Sequence, residues 1–494
     1  MWRPVARRPI VVFNRNFYMK RLIEVKKRKQ TKIVATISDL NCSVEFLTDL
    51  YENGMNVVRL NTAHQSQEGS LTVIDNVRKV SSDIPLLVDT KGPEVRTTNI
   101  EKAGLSVTEG EVIVIGENLG DEKGFFTNYS GFVKDIPVGA DVLIDDGETG
   151  LIVVDKKDDK LFVKVLNSGV IKNKKSINTP GVHLELPSIS EKDAAYIKFA
   201  AKHNIEFIAH SFVRNAQDVK DVQALIDAAG SDAKIIAKIE NREGVDNLEE
   251  ILDECYAVMI ARGDLGIEIP AQEVPAIQKH MIETCIRRAQ PVITATQMLH
   301  TMIENPRPTR AEVSDVANAI FDGTDAIMLS GETAYGKYPL EAVQTMNKIA
   351  LEVESHTEPY RDLPVISNKY NHIRNFLAKK AVQATSELPI DAVVVAAKTG
   401  SSARIVASYR GKLPIYVKCM HEMVMKTLAL SYGVYASILD VCDNRDTLVS
   451  TGVSSLISTG DIDKDDKLVI LAGTPSDNDT APEFIQIATA SDCI

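Results

Sequence analysis

The stretch KIIAKIE (234–240) is a short apolar run that ends in charge. Ile235, Ile236, Ala237 and Ile239 read as a strand covered on both faces, which is the habit of parallel sheets. Side chains alternate along a strand, so Lys238 and Glu240 share one face at its C-terminal end. Seven more runs follow the same grammar: KIVATIS (32–38), NVVRLN (56–61), PLLVDT (85–90), FIAHSF (207–212), AVMIARG (257–263), PVITATQ (291–297) and DAIMLSG (325–331). Stretches with helical spacing separate them. Eight βα units close a parallel barrel without free edges. The expected fold is α/β: a (β/α)8 TIM barrel over residues 32–93 and 187–352.

The rhythm breaks once, between the third and fourth strands. Residues 94–186 hold alternating runs such as EVIVI (111–115), DVLID (141–145), GLIVV (150–154) and LFVKV (161–165), separated by Gly, Asn and Asp. This reads as a small all-β domain inserted as a lid, with hinges near Pro93 and Pro187. After residue 352 the pattern restarts. HTEPYRDLP (356–364) reads as a linker. A helix near 372–387 and strands at DAVVVAA (391–397), PIYVKC (414–419), YASILD (435–440) and KLVILAG (467–473) form a separate C-terminal α/β domain, 357–494.

The chain has 494 residues, enough for about three domains. Its net charge of −12 argues against a dedicated nucleic-acid partner. No apolar run approaches the ~18 residues of a membrane span. Six cysteines, none in a CxxC pair, read as reduced thiols of a cytoplasmic protein. Residues 1–31 form a basic N-terminal extension; through Lys32 it carries eleven Lys or Arg and one acid, Glu24. It lacks the serines of a transit peptide. It reads either as an upstream start before Met19 or as a basic surface tail.

Nearly every barrel strand delivers a polar group to one rim: Arg59 and Asn61; Asp89, Thr90 and Lys91; Ser211; Lys238 and Glu240; Arg262 and Asp264; Thr294, Thr296 and Gln297; Ser330 and Glu332. Strands that merely turn polar on leaving the barrel explain one or two such cases, not seven. Glu240 and Asp264 sit on adjacent strands, and two hard oxygen ligands with open positions suit Mg2+ or Mn2+. An ammonium beside them, Lys238, can balance charge on a transferring phosphoryl group. A structural Lys238–Glu240 ion pair is the plain alternative. Arg59 and Arg96 offer forked donors for phosphate. GETAYGK (331–337) imitates a P-loop but has Tyr338 where the metal-binding hydroxyl belongs. His183, His203, His210, His280 and His300 show no ligand spacing. AAKTGSSAR (396–404) reads equally as an anion site or a helix cap.

These residues lie in longer motifs: MNVVRLNTAH (55–64), LLVDTKGPEVRT (86–97), LPSISEKD (186–193), IIAKIENREGVDN (235–247), MIARGDLGIEIP (259–270), ITATQML (293–299), NPRPTRAEVSDVANAI (305–320) and IMLSGETAYGKYPLEAV (327–343). With them, the chain resembles the pyruvate kinase family from residue 32 to about 480. The resemblance implies phosphate transfer from phosphoenolpyruvate to ADP by a homotetramer. It implies Lys238 at the phosphoryl group, Glu240 and Asp264 on the divalent metal, and Arg59 as phosphate clamp. It implies Gly263 and Thr296 at the substrate carboxylate, and Thr296 and Ser330 in proton relay. Arg96, His64 and Lys175 fall on the nucleotide side. Potassium would be held by Asn61, Asp89 and the carbonyl of Thr90, with Glu94 as the acid of potassium-dependent members. Ala63 departs from the family's serine ligand, which implies weaker potassium binding. Lys398, Thr399, Ser401 and Ser402 match the phosphate loop of an effector site. GTPSDNDTAPEF (473–484) departs from the Gly-rich loop expected beside it. Two other classes remain open on the residues alone. A metal-dependent aldolase or lyase would need no lid, and a binding protein would work through the basic leader.

Overall fold

The computed structural model describes residues 28–365, 372–440, 444–473 and 484–494. All eight expected strands form, each trimmed by a residue or more: β1 (Lys32–Thr36), β2 (Val57–Asn61), β3 (Leu86–Asp89) and, after the lid, β13 (Phe207–His210), β14 (Lys234–Ile239), β15 (Ala257–Ala261), β16 (Val292–Ala295) and β17 (Ala326–Leu329). They pair in parallel and close in the order β1-β17-β16-β15-β14-β13-β3-β2. The alternation is literal. Ile236 points into the barrel with Val34, Val57, Leu87, Met259 and Met328, while Ile235, Ala237 and Ile239 face the outer helices. Lys238 and Glu240 continue the inward row at the rim. The opposite mouth is stoppered by Leu430 of the C-terminal domain, fully buried among the inward side chains.

The lid has β4 (Val95–Thr98), β5 (Leu105–Val107), β6 (Val112–Gly116), β7 (Gly124–Thr127), β8 (Asp141–Ile144), β9 (Thr149–Lys157), β10 (Lys160–Val165), β11 (Gly169–Ile171) and β12 (Ser176–Asn178). Seven of these close a second barrel, and β5 pairs with β11 beside it. Sequence reading found four of the nine. The others are three or four residues long, too short to show a period. The C-terminal sheet runs β20 (Val434–Ile438), β19 (Ile415–Cys419), β18 (Ala392–Ala397), β21 (Lys467–Ala472), β22 (Phe484–Thr489). The first four are parallel. The unforeseen β22 pairs antiparallel along all of β21.

Residues 1–27 lie outside the described residues, so the basic leader is untouched beyond its last four positions. Those four pack against the body. Lys29, Gln30 and Thr31 are buried, and the backbone N–H groups of Gln30 and Thr31 donate to Glu354 at 2.8 and 2.7 Å. Buried charges clamp the C-terminal domain to the barrel floor. Arg410 pairs with Asp325 at 2.8 Å, and Asp325 also accepts from Tyr432 N at 2.9 Å. Among the described residues no helix is long and apolar enough to cross a membrane.

Candidate active site

Lys238 lies at the centre of the rim and is 9% exposed. Its ammonium is 2.9 Å from Glu240 Oε1 and 3.1 Å from Asp89 Oδ1, and donates to Ser211 Oγ at 2.6 Å. Three neighbouring strands, β14, β13 and β3, thus meet on one nitrogen. Burial would depress the ammonium, but Asp89, Glu240 and Asp264 outweigh it and hold Lys238 protonated. Asp89 gives its other oxygen to Arg59 Nε at 2.6 Å, and Arg59 reaches Thr36 Oγ1 at 2.8 Å. Burial pushes the Asp89 carboxyl up, yet Arg59 and Lys238 together bring it below the usual carboxylate range.

Glu240 and Asp264 behave oppositely. Burial raises both, and each adds repulsion to a carboxylate cluster that Lys238 only partly neutralises. That excess of buried negative charge is what a divalent cation relieves. Among the described residues no three His, Cys, Asp or Glu side chains form a ready cage. The pair therefore fits a metal whose remaining ligands come from substrate and water. Glu240 is held by Phe212 N, which donates to Oε2 at 2.7 Å. Phe212 reaches that position with φ +55°. Gly92 packs under it; with φ +73°, a Cβ there would lie 2.7 Å from the Phe212 ring.

On the far side, Gly263 N donates to Thr296 Oγ1 at 2.8 Å. Thr296 is strained, with φ +66°, and its hydroxyl donates to Ala295 O at 2.7 Å. Strain of this kind concentrates at functional positions. Ser330 presents a buried hydroxyl without a hydrogen-bond partner. Its own N–H is held by Glu332, which also accepts from Leu299 N and so ties the loops after β16 and β17. Arg262 turns away from the rim. It pairs with Asp315 at 2.7 Å and supports Thr296 O from behind at 2.8 Å.

The residues expected on the nucleotide side stand apart. His64 is exposed on the loop after β2. Arg96 forks onto Glu94 at 2.6 and 2.7 Å and donates to Lys174 O. Lys175 pairs with Asp145 at 2.6 Å within the lid. The large cleft between lid and barrel, about 390 Å3, is lined by Glu94, Asp146, Asn178, Arg214, Glu243 and Asp264 among others, but by none of Arg96, His64 and Lys175.

At the expected potassium position, Asn61 Oδ1 accepts from Ala63 N at 3.1 Å, and the Thr90 carbonyl accepts from Ser211 Oγ at 2.7 Å. The Thr62 hydroxyl faces inward and is spent on Asp89 O at 2.9 Å, so it does not replace the oxygen that Ala63 lacks. In the C-terminal domain, Ser401 opens the helix Ser401–Ser408 after Gly400 and accepts from Arg374 at 2.7 Å. Ser402 is buried, Thr399 is exposed and Lys398 is intermediate. Most of the divergent loop at 473–484 lies outside the described residues.

Sequence reading missed Ser211 as a partner of Lys238, and Thr36, Phe212 N and Glu332 as supports. Ser211 and Glu332 were visible as polar strand ends; Thr36 and Phe212 N depend on folding.

The sequence matches the pyruvate kinase barrel domain over residues 28–343 and the pyruvate kinase alpha/beta domain over 375–488. It is 52% identical over 471 residues to a pyruvate kinase of Borreliella burgdorferi, covering 94% of this chain and 98% of that one. It is 44% identical over 478 residues to a pyruvate kinase of Geobacillus stearothermophilus, covering 94% and 81%. A crystal structure of a pyruvate kinase from Cryptosporidium parvum superposes with a TM-score of 0.87 at 34% identity, over 94% of this chain and 97% of that one. With its eight-strand rim, β lid and C-terminal sheet in place, the chain belongs to the pyruvate kinase family.

Proposed function

We propose that the rim around Lys238 transfers the phosphoryl group of phosphoenolpyruvate to ADP, giving pyruvate and ATP, the last step of glycolysis. The observation that carries this reading is a buried Lys238 whose carboxylate neighbours favour its charged form, held between two groups: Asp89 and Arg59 on one side, the Glu240–Asp264 pair on the other. Closure of the lid over the rim would exclude water, which a phosphoryl transfer requires and an aldolase does not.

Arg59 holds the substrate phosphate, and Lys238 steadies charge as the group passes to ADP. Both are buried, so their charge acts at low dielectric. Gly263 N–H, which donates to Thr296 Oγ1, and the Thr296 hydroxyl, which donates to Ala295 O, would turn to the substrate carboxylate. Thr296 and the unpartnered Ser330 hydroxyl pass a proton to the enolate carbon. Glu240 and Asp264 would hold Mg2+ or Mn2+, which would supply Lewis-acid stabilisation. Asn61, Asp89 and the Thr90 carbonyl would hold K+, which would supply further positive charge. Arg96, His64 and Lys175 serve the nucleotide. Arg96 and Lys175 must leave Glu94 and Asp145 to do so.

An effector phosphate at Lys398, Thr399, Ser401 and Ser402, a homotetramer and a cytoplasmic setting complete the proposal. Val313 and Phe321, exposed on the helix Arg310–Asp322, are apolar side chains that subunit contact would cover. A coupled assay with phosphoenolpyruvate, ADP, Mg2+ and K+ tests the reaction. No pyruvate formed, or formation independent of ADP, would overturn it. A screen in which no phosphorylated metabolite shifts the phosphoenolpyruvate half-saturation would remove the effector site.

A further inference from the structure

The lid leaves the barrel after Lys91 and returns through Ser190. These two points are 99 residues apart in sequence, and one side chain binds both. Asp193 is fully buried in the first turn of the helix Glu191–Lys202. Its Oδ1 accepts from Lys91 N at 2.9 Å. Its Oδ2 accepts from Ser190 Oγ at 2.6 Å and faces Ser190 N at 3.4 Å, while Ser190 Oγ caps Asp193 N at 3.1 Å. A capping box needs only the Ser190 half. The bond to Lys91 is additional and long-range. Next to it, Lys192 donates to Thr62 O at 2.6 Å, which ties the end of β2 to the same helix turn.

We propose that Asp193 is the pin of the lid, a positioning residue that fastens the outgoing and returning connections to one point of the barrel. Lys91 follows Asp89 and Thr90 by only two and one residues. Movement of the lid would otherwise pull on the strand end that holds Lys238. With the pin in place, the lid turns beyond Lys91 and before Ser190 while the rim stays still. Bonds to a buried carboxylate are charge-assisted and strong, which suits a fixed point. Removing the side chain leaves the Lys91 N–H without its acceptor, and both connections loosen together.

The role in turnover rests on the phosphotransfer reading; the pin itself does not. Hydrogen–deuterium exchange of the unliganded chain is compared for segments 90–96, 186–190 and 191–202 in Asp193→Ala, Asp193→Asn and Ser190→Ala. Asp193→Ala is expected to speed exchange in both connections at once, with KM for ADP raised about tenfold and kcat lowered. Asp193→Asn keeps an acceptor for Lys91 N–H and should restore much of both; it also serves if the alanine variant does not fold. Ser190→Ala removes the 2.6 Å bond but keeps the Lys91 bond, so it should loosen 186–190 and the helix start, leave 90–96 protected and shift the kinetics less than Asp193→Ala. Faster exchange confined to 191–202 in Asp193→Ala, or kinetics of Ser190→Ala equal to those of Asp193→Ala, would reduce Asp193 to a helix cap and overturn the proposal. Loosened connections in a chain without phosphotransfer activity would uphold the pin and sink the reaction assignment instead.

Discussion

Lys238 reaches past a whole strand to Asp89. Its Nζ lies 3.1 Å from Asp89 Oδ1, although β13 separates β14 from β3, and Ser211 of that strand fills the space between. The sequence suggested a pair, Lys238 with Glu240. The structure makes it a bridge between a carboxylate that is firmly ionised and two that burial raises. That changes what a substitution should do. Lys238→Met should lower kcat by about a thousandfold or more, since a transition-state charge is lost. It should also strand Glu240 without its cation and leave Asp89 with Arg59 alone, at a cost of about 3–5 kcal/mol. Divalent metal should return part of that stability. Thermal midpoints with and without Mg2+, beside kcat, check both halves; a near-normal kcat would remove Lys238 from the mechanism.

His210 gives acid sensitivity unconnected with catalysis. It is fully buried, both ring nitrogens lack partners, and burial lowers its pKa to about 4. In the unfolded chain the value returns to about 6.5. Between those values the unfolded state binds more protons, so stability rises with pH across the window. The contribution is complete above about pH 6.5 and is lost as pH falls towards 4, about 3 kcal/mol in all. His210→Gln should flatten this part of the profile. Denaturation midpoints at pH 5 and 7.5 measure it; equal slopes for both proteins would show that another group carries the effect.

Period and position made the barrel legible. Its strands are covered on both faces, and each ends in a charge or hydroxyl, so KIIAKIE and its seven relatives could be counted. Lid strands such as β5 and β11, three residues each, have no period to read. Strand β22 contains FIQIAT, which alternates, but it pairs antiparallel with β21 through contacts no local pattern announces. The rim residues were legible by place and not by role. Arg262 and Asp264 look alike as strand-end charges. Only packing sends Arg262 outward to Asp315 and leaves Asp264 at the cleft. Nor does sequence reveal that Thr296 is held at positive φ.

The clamp below the barrel should be as costly to break as the rim. Arg410 and Asp325 are 7% and 3% exposed, and Arg410 also donates to Gly323 O at 2.9 Å. Arg410→Met would leave Asp325 buried with two backbone donors and no cation. A loss of about 3–5 kcal/mol is expected, since half of a buried pair is removed. Calorimetry should show the C-terminal domain melting earlier and apart from the barrel. A single transition at the parent temperature would mean that the pair adds little.

The proposed potassium dependence turns on one missing oxygen. Thr62 cannot supply it, because its hydroxyl is already donated to Asp89 O at 2.9 Å. Ala63 presents a methyl group where the family carries a serine. Turnover should therefore require a monovalent cation but saturate only at high K+. Ala63→Ser adds a hydroxyl at a loop position whose N–H is already fixed by Asn61 at 3.1 Å, so the new oxygen enters an ordered turn. One added oxygen ligand is worth about 1 kcal/mol, a fall of roughly fivefold in the K+ half-saturation. Phosphoenolpyruvate half-saturation at saturating K+ should not move. Full activity in a tetramethylammonium buffer without K+ would show that the site is not used, and an unchanged K+ curve in Ala63→Ser would place the cation elsewhere on the rim.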